Sequence, residues 1–464
     1  MKEVVAPFFH STTQVLGPLS QKQPFVAAKL HHGTTGMVTG GAAADPAVCT
    51  RSVGSILQGR VIDYDAADEQ AEDAFFVADL GEIQRQHAQW NKLLPRVEPF
   101  YAVKCNPNKM VLKTLASLGT GFDCASKGEI QMALDQGMDA SKIIYANPCK
   151  QISHIRFAAN AGVRMMTFDN ADELRKIKMC HPSALMVLRI LTDDSRSICK
   201  LGTKFGASMS AVPHLLATAR SLDMEVIGIS FHVGSGCFDA SAFGEAVALA
   251  RKAFDHGTAH GYTFRLLDVG GGFPGNNASG VGFQEIAAIL GPAIDHHFGP
   301  EVRVIAEPGR YYVSSAFTLA VNVIARRVVS RDAMVPATAA VTDTTAPSRD
   351  DHPSYMYYVN DGMYGSFNCL TFDHAVVTPQ VLARGGQFAH KQYGQDVEFP
   401  CSVWGPTCDS IDCIGKNFSL PEMNVGDWLH FDNMGAYTMC AASEFNGFKK
   451  SAIVYTNTEA FPGH

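Results

Sequence analysis

Between residues 99 and 306, short apolar runs alternate with longer segments in which apolar residues recur at helical spacing. The short runs are almost continuously apolar, which is typical of strands buried on both faces of a parallel sheet. The predicted strands are Pro99–Val103, Gly121–Cys124, Ile143–Tyr145, Met165–Phe168, Leu185–Leu191, Val226–His232, Leu266–Val269 and Val302–Ala306. The predicted helices between them are Lys109–Leu118, Lys127–Gln136, Ile152–Ala161, Ala171–Met179, Ala211–Leu222, Ala242–His256 and Phe283–Phe298. Eight such units predict an α/β fold of the (β/α)8 barrel type, and a doubly wound open sheet is the competing α/β fold.

After about residue 316 the pattern changes, because helical spacing becomes scarce and short apolar runs are separated by turn residues. These runs predict the strands Val321–Val329, Tyr355–Val359, Val397–Val403 and Trp428–Asp432, with Val53–Asp65 as a candidate for further strands. The predicted organisation is a barrel at residues 75–316, a mostly β domain at residues 41–74 and 317–464, and a flexible N-terminal extension at residues 1–40. The Ala-, Thr-, Pro- and Asp-rich stretch Met334–His352 predicts an exposed, mobile loop.

The composition of the 464 residues narrows the classes of partner and compartment. Apolar residues make up 46% and charged residues 18%, which is ordinary for a protein with a large buried core. The net charge of −7, without a basic run, argues against nucleic acid as a partner, since phosphate neutralisation needs clustered Lys and Arg. No apolar run approaches the roughly 18 residues of a membrane span, and the N-terminal residues do not form a signal peptide. The twelve scattered cysteines lack a Cys-x-x-Cys pair and predict reduced thiols in a cytoplasmic protein, rather than a zinc site or a disulfide scaffold.

Polar and ionisable residues follow the predicted strands at the ends that share one rim of a barrel. They are Lys104, Asp123, Asp169, Arg189, His232, the glycines 270–272 and Glu307. One such residue usually belongs to a solvated loop. Residues of this kind after seven of the eight strands favour an active site at that rim.

The glycines 270–272 belong to a stretch, 270–275, that matches G-x-G-x-x-G, which alone is weak evidence for a dinucleotide site. Pro274 and a polar stretch follow, so no helix is predicted where a pyrophosphate would need one, and we exclude that site. Successive glycines let backbone N–H groups approach an anion closely. Ser235 and Arg310, from neighbouring strand ends, would complete a phosphate cup. Glycines that serve only tight turns are the alternative interpretation.

Lys104 and Glu307 indicate what the phosphate group belongs to. A lysine in an apolar setting can become nucleophilic by desolvation and form a Schiff base with an aldehyde. A carboxyl group such as that of Glu307 can keep a pyridine nitrogen protonated, so that the ring of pyridoxal phosphate (PLP) acts as an electron sink. An imidazole such as that of His232 can stack on the ring. Each feature alone has a purely structural explanation, but together with the phosphate cup they favour PLP.

Eight segments closely resemble the family of eukaryotic ornithine decarboxylases. They are Phe100–Asn106 (FYAVKCN), Phe122–Ser126 (FDCAS), Phe231–Gly236 (FHVGSG), Gly270–Gly275 (GGGFPG), Glu307–Tyr312 (EPGRYY), Asn360–Asn368 (NDGMYGSFN), Trp404–Asp409 (WGPTCD) and Asn433–Thr438 (NMGAYT). The resemblance runs from about Asp73 to Lys449. It implies a PLP-dependent enzyme that converts L-ornithine to putrescine and CO2, with an alanine-racemase-like barrel, a β domain and a head-to-tail homodimer.

The resemblance also implies a role for each matching residue. Lys104 would carry the cofactor, Glu307 would face its pyridine nitrogen, and His232 would stack on its ring. The phosphate would be bound by Ser235, Gly270, Gly271, Gly272, Gly309, Arg310 and Tyr437, and Asp123 and Arg189 would form a supporting polar pair. Cys408 would protonate the substrate carbon, while the distal ammonium of the substrate would be held by Asp373 and Asp409 in a pocket that includes Phe372 and Phe445. In the family, the residues matching Cys408, Asp409 and Phe445 reach into the site of the partner subunit.

Two alternatives stay open beside ornithine decarboxylation. The substrate could be lysine or arginine, although two short carboxylates suit a medium-length chain ending in an ammonium. A catalytically inactive regulator, similar to antizyme inhibitors, is the alternative from another class, and the presence of Lys104, Asp123, Arg189, Cys408 and Asp409 argues against it. An antizyme is a candidate partner of the enzyme. Phe372 departs from the animal enzymes, which carry Tyr at this position.

Overall fold

The computed structural model describes residues 45–63, 70–275, 280–329, 353–392 and 396–460. The predicted extension at residues 1–40 and the predicted loop Met334–His352 lie outside the described residues. Those that are described belong to one compact unit, Asp45–His464. Within these ranges no helix is both long and apolar enough to cross a membrane.

Eight parallel strands close into a barrel in the order of the sequence, which confirms the barrel and excludes the open sheet. The strands are Val97–Ala102, Gly121–Cys124, Ile143–Tyr145, Met165–Phe168, Leu185–Arg189, Glu225–Ser230, Leu266–Asp268 and Arg303–Ala306. The eighth strand pairs with the first, where Val304 lies opposite Val97, and this pairing completes the ring. All strands therefore present their carboxyl ends at one mouth of the barrel.

One layer of large apolar side chains fills the barrel. It consists of Phe100, Ile144, Met165, Val187, Ile227, Leu266 and Ile305, which are all buried. The outer faces of the strands pack against the helices Leu80–Leu93, Lys109–Ser117, Lys127–Asp135, Ile152–Asn160, Ala171–Cys180, Val212–Ser221, Ser241–Ala259 and Phe283–His297. Both faces of each strand are covered, which explains why the strands are almost continuously apolar in sequence.

A ten-stranded sheet forms the predicted β domain. Its strands are Val48–Cys49, Phe75–Asp79, Phe317–Val329, Ser354–Val359, Gln380–Arg384, Gln387–Phe388, Glu398–Trp404, Cys413–Pro421, Trp428–Phe431 and Ala452–Thr456. Residues Phe75–Asp79, which the sequence assigns to the barrel, pair with Phe317–Val329 in this sheet. The helix Leu80–Leu93 follows directly, so the chain enters the barrel at about residue 80.

The strands predicted within Val53–Asp65 are wrong, because Val53–Val61 form a helix. Ser52 caps the helix by accepting a hydrogen bond from a backbone N–H of the first turn. Ile56 and Val61 pack into an apolar cluster with side chains of the sheet. Burial of this helical face outweighs the strand propensity of the β-branched residues in the segment.

Candidate active site

The alternation of side chains along a strand decides which residues reach the mouth of the barrel. Successive side chains point to opposite faces, so a residue two positions beyond an interior residue also faces the interior. Leu266 and Ile305 belong to the interior layer, and Asp268 and Glu307 lie two positions beyond them. Two carboxyl groups on neighbouring strands therefore lie side by side above the apolar layer.

Lys104 lies on a short turn of helix directly after the first strand, at the same mouth. Its Nζ is 2.5 Å from Oδ2 of Asp123, whose side chain is fully buried at the end of the second strand. Burial acts to lower the pKa of Lys104, but attraction to Asp123, Tyr437 and Glu307 outweighs it and raises the pKa above its ordinary value. The contact with Asp123 therefore favours the protonated form of Lys104, whereas the sequence-based expectation was that desolvation favours the neutral amine.

Asp123 was expected to pair with Arg189, but its contact in the structure is with Lys104. The guanidinium of Arg189 instead lies 5.2 Å from the ring centroid of Phe205. The second oxygen of Asp123, Oδ1, is buried and has no hydrogen-bond partner among the described residues. A buried, unpartnered carboxylate oxygen is costly, so it favours a ligand that donates a hydrogen bond at this point.

Arg310 and Ser235 meet as the sequence predicts for a phosphate cup. Arg310 begins a short helix after the eighth strand, and its Nε and Nη2 donate hydrogen bonds of 3.3 and 2.8 Å to Oγ of Ser235. Ser235 is held in a two-stranded ribbon opposite Cys199. The guanidinium also lies 5.1 Å from the ring centroid of Tyr437, a residue whose φ is 56°. A guanidinium edge beside two hydroxyl groups suits a phosphate.

Asp373 contacts Arg310 through both carboxylate oxygens. Nη2 donates to Oδ1 at 2.7 Å, and Nη1 donates to Oδ2 at 3.0 Å. This pair occupies the end of the guanidinium, and the Nε edge is left facing Ser235. Asp373 therefore orients the predicted phosphate-binding arginine, in addition to any contact with the substrate.

The glycines 270–272 are required by close approach as well as by turn geometry. Gly270 and Gly272 have φ values of 65° and 105°. A Cβ atom on Gly270 would lie 2.1 Å from the carbonyl oxygen of Phe231, and one on Gly271 would lie 2.8 Å from Nε2 of His232. The next helix of the described chain begins at Phe283. Gly309 is similarly crowded, since its Cβ would lie 3.0 Å from that of Cys105.

His232 presents a neutral imidazole beside these glycines. Its Nδ1 accepts a hydrogen bond of 3.0 Å from the backbone N–H of Gly234, so the proton is placed on Nε2. Burial, together with the positive charges of Arg189 and Lys104, lowers the pKa of His232 well below its ordinary value. A neutral ring held in this way can stack on an aromatic ligand without adding charge.

Glu307 and Asp268 form a pair of buried carboxyl groups within hydrogen-bonding contact of each other. The backbone N–H of Glu307 donates to the carbonyl oxygen of Gly270 at 2.6 Å, which ties the two strand ends together. Burial and the neighbouring Asp268 and Asp123 raise the pKa of Glu307. Asp268 is the last residue of the seventh strand and was missed by sequence analysis.

The remaining predicted residues lie on a separate, exposed patch of the β domain, the Tyr364 patch. It consists of Tyr364, Cys408, Asp409, Phe445 and Asn446. The hydroxyl of Tyr364 donates to Asp409 at 2.5 Å, and its ring stacks on Phe445 with centroids 4.2 Å apart. The backbone N–H of Cys408 donates to Asn446 at 3.1 Å. Tyr364 lies in one of the matching segments but was given no role from the sequence.

The structure thus separates the predicted residues into two groups. The mouth of the barrel brings together the predicted cofactor residues and Asp373. Cys408, Asp409 and Phe445 belong to the Tyr364 patch, where Cys408 is exposed and Phe445 is 42% exposed. Phe372 is 71% exposed, on a short helix that ends just before Asp373.

The family model of the pyridoxal-binding domain of pyridoxal-dependent decarboxylases matches residues 80–314, about half of the chain. Ornithine decarboxylase of Rattus norvegicus is 50% identical over 402 residues, which cover 86% of this chain and 84% of that protein. Antizyme inhibitor 2 of Xenopus laevis is 52% identical over 391 residues, covering 84% of this chain and 82% of that protein. Among solved structures, the arginine decarboxylase of Paramecium bursaria Chlorella virus has a TM-score of 0.76 and 35% identity, and the match covers 87% of this chain and all of that one.

The residues at the mouth fit the cofactor of this family. The Nε edge of Arg310 and the glycines 270–272 can bind its phosphate, and Glu307 can contact its ring nitrogen. The unpartnered oxygen of Asp123 can accept a further hydrogen bond. PLP is therefore the cofactor, and the match of fold and sequence over most of the chain leads to one conclusion. The chain belongs to the family of PLP-dependent ornithine and arginine decarboxylases with the alanine-racemase-like fold.

Proposed function

We propose that the protein decarboxylates L-ornithine to putrescine and CO2 as a homodimer with shared active sites. The observation that carries the proposal is the division of the predicted residues between the barrel mouth and the exposed Tyr364 patch. The barrel mouth supplies Lys104, Glu307 and the phosphate cup. The patch supplies the thiol of Cys408 and the carboxylate of Asp409, and the latter accepts a hydrogen bond from Tyr364. A second copy of the chain is the natural source of the missing half of each site.

When bound, PLP accepts into its ring the electron pair of the bond that breaks between the substrate carbon and its carboxylate. The chain's own residues prepare and finish that step. Arg310 and Ser235 hold the phosphate, and Glu307 holds a proton at the ring nitrogen. Lys104 must lose a proton before its amine can bond to carbon, and Asp123, in direct contact with it, is the residue that controls this charge.

After CO2 leaves, a proton must be delivered to the substrate carbon. Cys408 of the partner subunit is the proposed donor, since this cysteine is exposed in its own chain. Asp409 of the partner subunit would bind the distal ammonium of ornithine. The hydroxyl of Tyr364 orients that carboxylate and, by donating a hydrogen bond, lowers the pKa of Asp409.

Mixing two inactive variants tests the shared site. Lys104→Ala removes the half of the active site that lies at the barrel mouth, and Cys408→Ala removes the half that lies on the Tyr364 patch. A dimer of either variant alone therefore has no working site. Two-fold symmetry gives every heterodimer one intact site, and random exchange makes about half of the dimers mixed. About a quarter of wild-type activity should then return. No recovery after verified subunit exchange would reject the shared site.

Substrate choice is tested on the purified protein with PLP and ornithine, lysine or arginine in parallel. The proposal expects the highest kcat/KM for ornithine. Structural similarity alone does not decide this point, since arginine decarboxylase of the Chlorella virus has the same fold. Preference for lysine or arginine would overturn the ornithine assignment and leave PLP-dependent decarboxylation in place.

A regulatory role is the second candidate, because the chain is 52% identical to antizyme inhibitor 2 of Xenopus laevis. An antizyme is accordingly a proposed partner, and purified antizyme should be retained by the immobilised protein. A cytoplasmic location is proposed as well, supported by twelve cysteines that are all unpaired. Antizyme binding without any turnover of the PLP-loaded protein would favour the inactive regulator over the enzyme.

A further inference from the structure

Asp268 is a buried carboxyl group to which the mechanism above gives no task. It is 0% exposed at the end of the seventh strand, two positions beyond the interior residue Leu266. Its Oδ1 accepts a hydrogen bond of 2.9 Å from the backbone N–H of Gly270. Its Oδ2 is buried and accepts no hydrogen bond from an N–H group or a hydroxyl group of the described residues. An isolated carboxylate oxygen in such a place is strongly disfavoured.

The neighbouring carboxyl group is that of Glu307. The eighth strand lies beside the seventh, with Asp268 opposite Ile305, and Glu307 follows two positions later. The two carboxyl groups are within hydrogen-bonding contact. Two anions cannot make a hydrogen bond, but a carboxylic acid and a carboxylate can. A single proton between them would satisfy Oδ2 of Asp268 and fix the rotamer of Glu307.

We propose that Asp268 is a positioning residue for Glu307: the two carboxyl groups share one proton, and this contact fixes the side chain that faces the cofactor's ring nitrogen. The inference rests on the proposed role of Glu307. It makes Asp268 the part of the site that holds the residue, without touching the cofactor.

The electrostatic setting agrees with this geometry. Burial, opposed by hydrogen bonds from Glu307 and the backbone of Gly270, raises the pKa of Asp268 to about 7. The pKa of Glu307 is raised further in the same direction, by burial and by the carboxylates of Asp268 and Asp123. The pair therefore retains a proton at neutral pH, and the two groups titrate together.

A cofactor analogue isolates the effect of Asp268 on the ring nitrogen. In 1-deaza-PLP a carbon replaces that nitrogen, so the ratio of its dissociation constant to that of PLP reports the contact with Glu307. Both constants are measured with cofactor-depleted protein, by the change in protein fluorescence. We expect Asp268→Ala to lower the ratio about tenfold or more, which is the contribution of a hydrogen bond to a charged group. Asp268→Asn should keep most of the ratio, because its amide can donate to Glu307 and its oxygen can accept from Gly270.

Two further variants make the result specific. Asp427→Asn alters a buried aspartate of the sheet that accepts only backbone N–H groups, and it should leave the ratio unchanged. Glu307→Gln should lower the ratio, and adding Asp268→Ala to it should lower the ratio no further. An unchanged ratio in Asp268→Ala, with Glu307→Gln lowering it, overturns the inference. A ratio that Glu307→Gln leaves unchanged overturns the role of Glu307 itself.

Infrared difference spectra test the shared proton even if Asp268→Ala does not fold. At about pH 8 ordinary carboxyl groups are ionised, so a protonated-carboxyl band reports an exceptional group. The band should be present in the wild-type protein without cofactor, and it should be absent from Asp268→Asn and from Glu307→Gln. A wild-type spectrum without this band would contradict the shared proton.

Discussion

His430 predicts that the β domain loses stability in mild acid. It lies on the strand Trp428–Phe431 and is 0% exposed. Its ring packs edge-on against that of His390, with centroids 4.8 Å apart. Burial and the positive charges of His390 and Lys391 lower the pKa of His430 from 6.5 to about 4, while Asp432 acts in the opposite direction.

The sign of the effect follows from the lowered pKa. The unfolded chain takes up a proton at His430 as the pH falls through 6.5, whereas the folded chain resists protonation until about pH 4. Stability from this residue is therefore complete above 6.5 and is lost between 6.5 and about 4. At about pH 5 the loss is about 2 kcal/mol relative to neutral pH, as the logarithm of the two protonation ratios gives.

The measurement compares the free energy of unfolding in urea at pH 7.5 and at pH 5.0. Protein and PLP concentrations are held constant, since cofactor and subunit binding shift the apparent stability. His430→Leu removes the titrating group and keeps an apolar side chain of similar size, so its loss between the two pH values should be smaller than that of the wild type by about 2 kcal/mol. His296→Gln, at an exposed position of a barrel helix, is the matched control and should behave like the wild type. Equal losses in wild type and His430→Leu would refute the reasoning.

Four further substitutions address the site. Lys104→Ala should abolish both the visible absorption of the bound cofactor and turnover, and a variant that retained the band and full activity would show that the lysine is misassigned. Cys408→Ala should still bind PLP but yield an aldehyde side product in place of the putrescine, which chromatography of the products detects. An unchanged putrescine yield would exclude the thiol as the proton donor. Asp409→Asn should raise the KM for ornithine about tenfold or more, as expected when a charged group loses its hydrogen bond. Asp373→Asn should raise the KM for ornithine less than Asp409→Asn does, and it should change the affinity for PLP, because the charge of Asp373 is already balanced by Arg310. Equal increases in KM for the two variants, with an unaltered affinity for PLP, would contradict this expectation.

The sequence predicted the barrel well because both faces of its strands are buried, so each strand appears as an apolar run between helical segments. It extended four strands too far, two of them by two residues. Leu185–Leu191 ends at Arg189, and Val226–His232 ends at Ser230. The residues beyond these ends, such as Ile190 and Phe231, are fully buried under the loops of the rim. Apolar character therefore continues past the end of each strand, and sequence alone cannot place that end.

The cofactor residues were also predictable, since most of them follow strands or lie in long matching segments. The contacts among them were not. Asp373 pairs with Arg310 across 63 residues, and Tyr364 binds Asp409 across 45 residues, so only the folded chain reveals these partners. Asp268 escaped notice for another reason, because it is the last residue of a strand that is otherwise apolar. Asp268 reaches the site because its side chain points to the interior of the barrel, and not because it lies in the loop after the strand.

The distribution of charge suggests how cofactor and substrate binding depend on each other. Arg310 contacts Ser235 at one edge and Asp373 at the other, so a phosphate bound at the first edge shares its cation with the carboxylate at the second. A phosphate that draws the guanidinium toward itself weakens the contact with Asp373 and leaves that carboxylate with more of its charge. The carboxylate then becomes a better receptor for an ammonium group. If Asp373 binds the distal ammonium as proposed, the loaded site would attract ornithine more strongly than the empty one, because one arginine would serve both ligands. Asp409, held by the neutral Tyr364, lacks this dependence, and the two carboxylates therefore contribute to substrate binding in different ways.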